Sequence, residues 1–198
     1  MKIGLTGSIA CGKSTVSSYL RQLGYDVVDA DAISRSLTEP GGPALPAIRG
    51  AFGDTVFDGD ALNRRALGAL VFGDEQKRQT LNALLHPMII SQVTAELTTL
   101  DREGRLVFGD IPLLYECGME SLFDRIWVVS APLETQIARL SARDGLSEEE
   151  AVRRICSQMP LEEKRRRADA VIDTDGPIPN TQRQVRALLA RPAGRRQA

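Results

Sequence analysis

The sequence has few cysteines, and none of them form a pair at a spacing typical of metal or redox sites. Cys11, Cys117 and Cys156 are odd in number and lie far apart in the chain. A disulfide framework or a zinc site would need more cysteines in closer pairs. We therefore expect all three to be free thiols.

The chain also lacks an excess of charge and a long hydrophobic run. Its 25 basic and 26 acidic residues nearly cancel, which disfavours nucleic acid or an anionic membrane as a partner. No apolar stretch approaches the roughly 18 residues of a membrane span, and glycines and a lysine interrupt the first apolar stretch, so it does not resemble a signal peptide. We expect a cytoplasmic protein whose anion sites, if any, are local.

The composition of the 198 residues is otherwise that of an ordinary globular protein, with 42% hydrophobic and 26% charged residues. This length suffices for one domain, or for one domain with an insertion. Short apolar runs typical of buried parallel strands alternate with helical patterns. The runs lie at 3–5, 27–28, 106–108, 126–129 and 171–172. The pattern predicts an α/β fold with a five-stranded parallel sheet.

Helical patterns fill the segments between these runs. The apolar spacing after Lys13 predicts a helix that Gly24 can end. Ser147 and Glu150 form a capping box that predicts the start of another helix. Further helical patterns, without a clear strand between them, lie at 62–72, 75–85 and 87–100.

The segment at about 40–104 is therefore predicted to be an inserted helical subdomain. It begins with the chain-breaking PGGP at 40–43. We predict a single domain with a core at 1–39 and 105–190. The basic tail at 191–198 is poor in apolar residues, and we expect it to lie in solvent.

The stretch GSIACGKST follows the first apolar run directly. Gly7, Gly12, Lys13 and Ser14 match GxxxxGK[ST], a phosphate-binding loop, between a predicted strand and a predicted helix. In such a loop the glycines let main-chain N–H groups point at a phosphate, the lysine reaches the β- and γ-phosphates, and the hydroxyl can hold Mg²⁺. The pattern predicts a nucleotide site.

Three aspartates follow predicted strands, at the edge where open α/β sheets bind ligands. Asp110, in LVFGDIPLLYE, suits the Mg²⁺ shell as a Walker-B-like acid, and a turn or helix-cap role is the alternative. Asp29 and Asp31, in DVVDAD, point to one side if the chain is still extended there. One of them is then suited to accept a proton from an attacking hydroxyl, and the other to cap the following helix.

Arg139 and Arg143 lie four residues apart on one predicted helix face, directly before the break at Asp144 and Gly145. Phosphoryl transfer needs positive charge over the transferred group and the exclusion of water. The alternative is that both arginines are solvated surface residues. Because a phosphate-binding loop is present, we favour a helical lid at about 139–165.

Taken together, these motifs resemble the dephospho-coenzyme A kinase family. The matching pieces, in the family's order, are IGLTGSIACGKST, VVDAD, LNRRALGALVF, ALLHP, DIPLLYE, WVV with ETQIARLSARDG, and ADAVIDTDG. The resemblance implies a P-loop NTPase-type three-layer fold with a helical acceptor-binding insertion and a helical lid. It also implies an activity, the transfer of a phosphoryl group from ATP to the ribose 3′-hydroxyl of dephospho-CoA, with Mg²⁺ bound to the ATP. The products are CoA and ADP, and the reaction is the last step of CoA synthesis.

The resemblance further implies roles for individual residues. The expected catalytic residues are Asp31 as the base, Lys13 and Arg139. ATP contacts are expected from Gly7, Ala10, Cys11, Gly12, Lys13, Ser14, Thr15, Arg139 and Arg143. Acceptor-side contacts are expected from Asp29, Asp31, Arg64, His86, Asp110 and Leu113, where Arg64 and His86 either bind the acceptor or hold the subdomain in place. Ser14 and Asp110 are the expected Mg²⁺ ligands.

Several positions depart from the family's usual pattern. The loop usually reads GGIGSGKS, whereas here Ser8 and Ala10 replace glycines and Cys11 replaces a serine. We expect the loop to keep its shape if Ala10 needs no positive φ. A thiol near a helix N-terminus has a lowered pKa, so oxidation of Cys11 is a hypothesis for control of ATP binding. Thr174 replaces the usual asparagine, which puts a side-chain contact with adenine in doubt.

Two other functions stay open from the residues alone. A kinase of the same architecture could act on a nucleoside monophosphate or another small hydroxyl acceptor. A non-catalytic nucleotide-binding switch is the second alternative, although it would need neither the aspartate pair nor a lid. In each case we expect small-molecule partners and a monomer or weak homo-oligomer.

Overall fold

The computed structural model describes residues 1–190, which contain seven strands and nine α-helices. The strands are β1 (Lys2–Gly7), β2 (Asp26–Asp29), β3 (Phe57–Asp58), β4 (Ala61–Leu62), β5 (Val107–Asp110), β6 (Arg125–Ser130) and β7 (Ala170–Asp173). The helices are α1 (Lys13–Gln22), α2 (Ala30–Leu37), α3 (Leu45–Phe52), α4 (Arg64–Phe72), α5 (Glu75–Arg102), α6 (Leu133–Asp144), α7 (Glu148–Cys156), α8 (Leu161–Arg167) and α9 (Ile178–Leu189). The expectation for the tail at 191–198 falls outside the described residues.

Five of the strands form a sheet in the order β2-β5-β1-β6-β7, which confirms the predicted α/β class and parallel sheet. The central strand β1 pairs with β5, where Leu5 lies opposite Asp110, and with β6, where Gly7 lies opposite Val129. The sheet strands that follow β1 first in the sequence, β2 and β5, lie on one side of it, and the later strands β6 and β7 lie on the other side. Open α/β sheets bind ligands at the carboxyl ends of strands beside such a switch point.

Contacts divide the described chain into two compact units. The sheet unit comprises residues 1–28 and 96–190, and the helical unit is Asp29–Ala95. In the sheet unit, α1 packs on β1 and α9 packs on α1 and β7. Fully buried Leu5, Leu20 and Phe108 belong to its core, each contributing about 1.5–3 kcal/mol of hydrophobic free energy. Our assignment of 40–104 as a substrate-binding insertion stays a prediction.

The helical unit contains a short hairpin that the sequence did not lead us to expect. Phe57 pairs with Leu62 and Asp58 with Ala61 in an antiparallel ladder. The hairpin ends at Leu62, where the predicted helical patterns begin, and none of the described residues between α4 and α5 forms a strand, as expected. Strands of two residues are too short to show an alternating apolar pattern, although the Asp58-Gly59 pair is a turn signal.

Helix α5 also differs from the prediction, because the patterns at 75–85 and 87–100 form one helix with Pro87 inside it. Proline removes one main-chain hydrogen bond and clashes with the preceding turn, at roughly 3 kcal/mol. The helix continues past it to Val93 and Leu97, which are buried and one turn apart. Burial of this later apolar face offsets the penalty, which the sequence alone does not reveal.

The two helices on either side of residue 145 begin and end as predicted. Gly145, with φ 68°, ends α6. The Ser147 hydroxyl accepts from the Glu150 N–H at 3.3 Å, and the Glu150 carboxylate accepts from the Ser147 N–H at 2.9 Å. These two bonds confirm the capping box. None of the helices in residues 1–190 has the length and apolar character needed to cross a membrane.

Candidate active site

The loop between β1 and α1 is a tight turn at the carboxyl end of the central strand. Gly12 has φ 78° in the left-handed region and directly precedes Lys13, the first residue of α1. The Cys11 N–H donates to the Ser8 carbonyl at 3.3 Å and closes the turn. The Thr15 N–H donates to the Gly12 carbonyl at 3.0 Å, whereas the N–H groups of Lys13 and Ser14 begin the helix and carry partial positive charge, so the loop is suited to an anion.

Packing explains why this loop begins with glycine. A Cβ on Gly7 would lie 2.5 Å from the Val129 carbonyl oxygen and 2.6 Å from Cys11 Sγ. A Cβ on Gly12 would lie 3.1 Å from Thr174 Oγ1 and 3.4 Å from Arg139 Nη1. The motif glycines therefore bring the loop close to β6 and to the arginine predicted for the lid.

Ala10 adopts a conformation that the sequence analysis did not expect. Its φ is 60°, and no other non-glycine residue among those described has a positive φ. The condition under which we expected the loop to keep its shape, that Ala10 needs no positive φ, is therefore not met. A left-handed non-glycine residue costs about 1–2 kcal/mol, so the loop keeps its shape at the expense of backbone strain.

Cys11 is fully buried, and this overturns the hypothesis that it is a reactive thiol. Its Sγ lies 3.0 Å from the Val129 carbonyl oxygen, against which the S–H can point. Burial raises the pKa of the Cys11 thiol from 9.0 to about 11, although the nearby charges of Lys13 and Lys164 lower it in part. The thiolate is thus disfavoured, because desolvation outweighs the helix terminus and the cations.

The loop lysine and the acid of the third predicted run meet at the edge of the sheet. The Lys13 ammonium forms an ion pair with the carboxylate of Asp110, which is buried at the end of β5. Ser14 is exposed and Thr15 half-buried in the first turn of the same helix. The parallel register that places β5 beside β1 brings this cation and this carboxylate together.

Arg139 is fixed against the loop by Thr174. It donates to Thr174 Oγ1 at 3.1 Å and to the Thr174 carbonyl at 2.6 Å, while the Thr174 hydroxyl lies 2.8 Å from the Cys11 carbonyl oxygen. The threonine at the position where the family usually has asparagine therefore joins the arginine to the phosphate loop. A buried hydroxyl with two such partners holds a fixed rotamer.

Arg143 has a different environment from Arg139, although both lie on α6. Its guanidinium makes two hydrogen bonds to Asp144, at 2.7 and 3.1 Å, and both residues are exposed. The bond to Arg143 lowers the pKa of the Asp144 carboxyl. Arg154 of α7 also reaches Asp144, at 3.1 Å. The predicted pairing of Arg139 and Arg143 over one ligand is not visible in their present contacts.

The two aspartates after β2 do not share one side of an extended strand. The strand ends at Asp29, whose carboxylate accepts from the Ala32 N–H at 3.0 Å and caps α2. Asp31 lies inside the first turn of α2 and is exposed. The chain is helical from Ala30 because Asp29 is a good N-cap, so the condition for both to point to one side, an extended chain at Asp31, is not met. The expectation that one of them is a cap is confirmed.

The remaining acceptor-side residues lie on separate elements. Arg64 is the first residue of α4, and it donates to the Arg35 carbonyl at 3.1 Å within the helical unit. His86 is half-buried in α5, directly before Pro87. Leu113, in the sheet unit, follows β5 and is 36% exposed.

Two residues near the loop were missed by the sequence analysis. Lys164 of α8 is fully buried, and its ammonium lies 3.2 Å from the Gly7 carbonyl oxygen. Gln158 accepts from the Ile9 N–H at 2.8 Å. Neither residue belongs to a recognisable sequence motif. Lys164 lies in the charged run LEEKRRR, which is typical of a solvated helix.

The arrangement can hold an anion between main-chain N–H groups and an ammonium, with a carboxylate beside them. Within residues 1–190, no group of three or more His, Cys, Asp or Glu side chains is placed to hold a metal ion by itself. Any divalent cation here would need further ligands from a bound phosphate.

Comparison with known proteins agrees with this geometry. The dephospho-CoA kinase family profile matches residues 1–180. A dephospho-CoA kinase of Shouchella clausii is 46% identical over 98% of this chain and 99% of its own length. A solved protein from Thermus thermophilus has a TM-score of 0.81 at 40% identity, covering 98% of both chains. Dephospho-CoA kinase from Campylobacter jejuni has a TM-score of 0.73 at 29% identity, covering 96% of both. The chain therefore belongs to the dephospho-CoA kinase family and is a phosphotransferase.

Proposed function

We propose that this chain transfers the γ-phosphoryl group of ATP to the ribose 3′-hydroxyl of dephospho-CoA, which gives CoA and ADP. Family membership supports this reaction, the last step of CoA biosynthesis, over a nucleoside monophosphate kinase or a non-catalytic switch. The observation that carries our assignment of the site is the ion pair of Lys13 and Asp110 beside the phosphate loop.

The ATP triphosphate is assigned to the loop at 7–15. A lysine ammonium has three N–H donors. Lys13 uses one of them on the Asp110 carboxylate, so the other two can reach phosphate oxygens. Arg139 is the proposed transition-state cation, because Thr174 uses only part of its five-donor guanidinium beside Gly12. Ala10 and Ser14 contribute main-chain N–H groups, and Thr15 contributes its hydroxyl. Cys11 reaches ATP only if its N–H leaves the Ser8 carbonyl, and Arg143 only if it leaves Asp144.

Mg²⁺ is the cation we propose to accompany ATP, with the Ser14 hydroxyl and the Asp110 carboxylate as its protein ligands. Both are oxygen donors, which this hard cation prefers, and Mg²⁺ usually combines one or two protein ligands with phosphate oxygens and water. When bound, the cation supplies positive charge to the β- and γ-phosphates. Asp110 then holds both the cation and Lys13, and so orients the ammonium towards the phosphates.

Asp31 is the proposed base that accepts the proton of the ribose hydroxyl. Asp29 caps α2, and Asp31 is an exposed carboxylate in the first turn of the same helix. Arg64, His86, Leu113 and Asp29 are the proposed acceptor-side residues, where Arg64 and His86 bind the acceptor or hold the subdomain. We also propose a cytoplasmic enzyme, monomeric or weakly homo-oligomeric, with no nucleic-acid or membrane partner.

The acceptor is tested by measuring ADP release with dephospho-CoA, AMP, adenosine and a small polyol in parallel. We expect turnover with dephospho-CoA alone, and mass spectrometry should identify the product as CoA. Comparable kcat/KM with AMP would instead favour a nucleoside monophosphate kinase. ATP binding without turnover on any acceptor would favour a non-catalytic switch.

The base is tested with Asp31→Asn. General-base catalysis typically contributes about 10²–10⁴-fold, and we expect kcat to fall by that factor while ATP affinity stays unchanged in calorimetry. Glu39→Gln, which removes another exposed carboxylate from the helical unit, is the matched control. Near-normal turnover of the Asp31 variant would refute its role as the base.

A further inference from the structure

Lys164 is a buried charge that the proposed reaction does not yet use. Its side chain is fully inaccessible, in contrast to the neighbouring Arg165 and Arg166, which are exposed. Its ammonium lies 3.2 Å from the Gly7 carbonyl oxygen, 3.3 Å from the Pro112 carbonyl oxygen and 2.8 Å from the Glu116 carboxylate. Three donors thus meet three acceptors, so the hydrogen-bonding capacity of the ammonium is fully used.

Stability alone is a weak reason to bury a lysine here. Desolvation of an ammonium is expensive, and well-packed apolar residues often replace a buried ion pair without loss of stability. The contacts of Lys164 point instead to geometry. They join the end of β1, at Gly7, to the segment that follows Asp110 at the end of β5.

The Gly7 carbonyl is the informative contact, because it belongs to the first peptide of the phosphate loop. A trans peptide is planar, so fixing the direction of the Gly7 C=O also fixes the Ser8 N–H in the opposite direction. The next peptide is held as well, because the Ile9 N–H donates to Gln158 Oε1 at 2.8 Å. Residues 158–164, which we call the brace, therefore orient two consecutive peptides of the loop.

The other side of the brace is tied to the segment after Asp110. The Glu116 carboxylate accepts from Lys164 and, at 3.0 Å, from the Met159 N–H. The Pro112 carbonyl accepts from Lys164 and, at 3.0 Å, from the Thr6 hydroxyl of β1. The positive charge of Lys164 also reaches the loop electrostatically, since it is one of the groups that lower the pKa of Cys11 against the effect of burial.

We propose that Lys164, assisted by Gln158, is a positioning residue that sets the phosphate loop in register with the segment carrying Asp110. This inference rests on the proposed function, in which the loop holds the triphosphate and Lys13 and Asp110 act on it. Without Lys164 the Gly7 carbonyl loses the ammonium that donates to it, and the peptide between Gly7 and Ser8 can rotate. The loop N–H groups and Lys13 then meet ATP in a poorer geometry, while the acceptor side is unaffected.

The test compares Lys164→Met, Gln158→Leu and the matched control Arg166→Met, which removes an exposed charge from the same helix. A displacement of about 1 Å can cost about 100-fold in rate, so we expect kcat/KM for ATP to fall about 100-fold in Lys164→Met and about 10-fold in Gln158→Leu, with a raised KM for ATP in both. KM for dephospho-CoA should change less than about 2-fold in both, because the defect is confined to the ATP side. The Arg166 variant should match the wild type.

A purely structural role predicts a different pattern. It would lower the melting temperature and the active fraction, and both KM values would stay at those of the wild type. That result would overturn the proposal. Gln158 is only partly buried, so its variant should fold even if Lys164→Met does not, and an unchanged KM for ATP in Gln158→Leu would equally count against the brace.

Lys13→Met separates this inference from the proposed function. If Lys13→Met keeps normal turnover, the loop is not the triphosphate site and the proposed function fails with it. If Lys13→Met is inactive but Lys164→Met and Gln158→Leu behave as the wild type, only the positioning role is lost. Inactive Lys13→Met together with the ATP-specific defects supports both.

Discussion

Glycines in the strands of the sheet unit and glycines in the helices of the helical unit occupy very different surroundings. In the strands of the sheet unit, a Cβ on Gly4 or Gly109 would lie 2.6 Å from a neighbouring side chain, and one on Gly7 would lie 2.5 Å from main-chain oxygen. In the helices of the helical unit, a Cβ on Gly50 or Gly68 would meet nothing within 4 Å. Packing thus requires the strand glycines, whereas the helix glycines leave space unused.

Apolar side chains repeat this difference. Phe108 of the sheet unit is fully buried and lies 5.4 Å, between ring centroids, from Trp127. Phe72, at the end of α4 in the helical unit, is 83% exposed. Substitutions near the phosphate loop should therefore be costly in stability, and many in the helical unit should be tolerated.

The largest effect is expected for a matched pair of glycine-to-alanine substitutions. Gly7→Ala would force a methyl group into the Val129 carbonyl, which cannot move without disturbing β6, and we expect a loss of about 3 kcal/mol or more. Gly68→Ala, inside α4, should instead stabilise the protein by about 0.5–1 kcal/mol, because alanine has the higher helix propensity.

Both free energies of unfolding can be measured by urea denaturation. Gly50→Ala, in α3, is the control for Gly68→Ala, since its surroundings are equally open. Similar destabilisation by Gly7→Ala and Gly68→Ala would remove the contrast between the units.

The next largest effect concerns Cys11, whose burial in the phosphate loop makes the free energy of unfolding depend on pH. Burial raises the pKa of its thiol from 9.0 to about 11, so below pH 9 the folded and unfolded states both keep the proton. Between pH 9 and 11 the unfolded thiol ionises first. Stability therefore falls as pH rises, by roughly 2–3 kcal/mol in total.

This contribution is isolated by comparing the wild type with Cys11→Ala at pH 8 and at pH 10.5, again by urea denaturation. The variant should be less stable at pH 8 and should lose less stability on going to pH 10.5. Parallel pH profiles of the two proteins would show that Cys11 does not supply the dependence. Cys117 and the other groups that titrate in this range are common to both proteins.

Much of the sheet unit could be predicted because its determinants are local. The five strands, the loop ending at Lys13 and the cap at Ser147 each follow from a few adjacent residues. The φ of Ala10 and the burial of Cys11 and Lys164 depend on contacts with distant strands and helices, which adjacent residues do not encode. In the helical unit, the hairpin at Phe57 was too short to show a pattern.

A smaller effect is expected for the cap of α4 in the helical unit. The Asn63 side chain accepts from the Ala66 N–H at 2.9 Å and donates to Asp58 at 2.9 Å. Asn63→Ala should destabilise the protein by about 1 kcal/mol, because one helix N–H loses its acceptor. Asn63→Ser, which retains a cap acceptor and loses the donor to Asp58 just as the alanine variant does, should lose less in the same urea measurement. Equal losses in the two variants would argue against capping as the cause.

The smallest effect is expected at Ala10, the strained residue of the otherwise well-packed loop. Glycine adopts φ 60° without the roughly 1–2 kcal/mol penalty of alanine, but it also gives the unfolded chain about 0.4–1 kcal/mol more conformational freedom. Ala10→Gly should therefore stabilise the protein by only about 0.8 kcal/mol, the difference between the midpoints of these two terms. Ala47→Gly, on an exposed position of α3, lacks the strain term and should destabilise it. If both variants lose stability equally in urea denaturation, the backbone at Ala10 is not strained, and the left-handed turn of the loop costs the protein nothing.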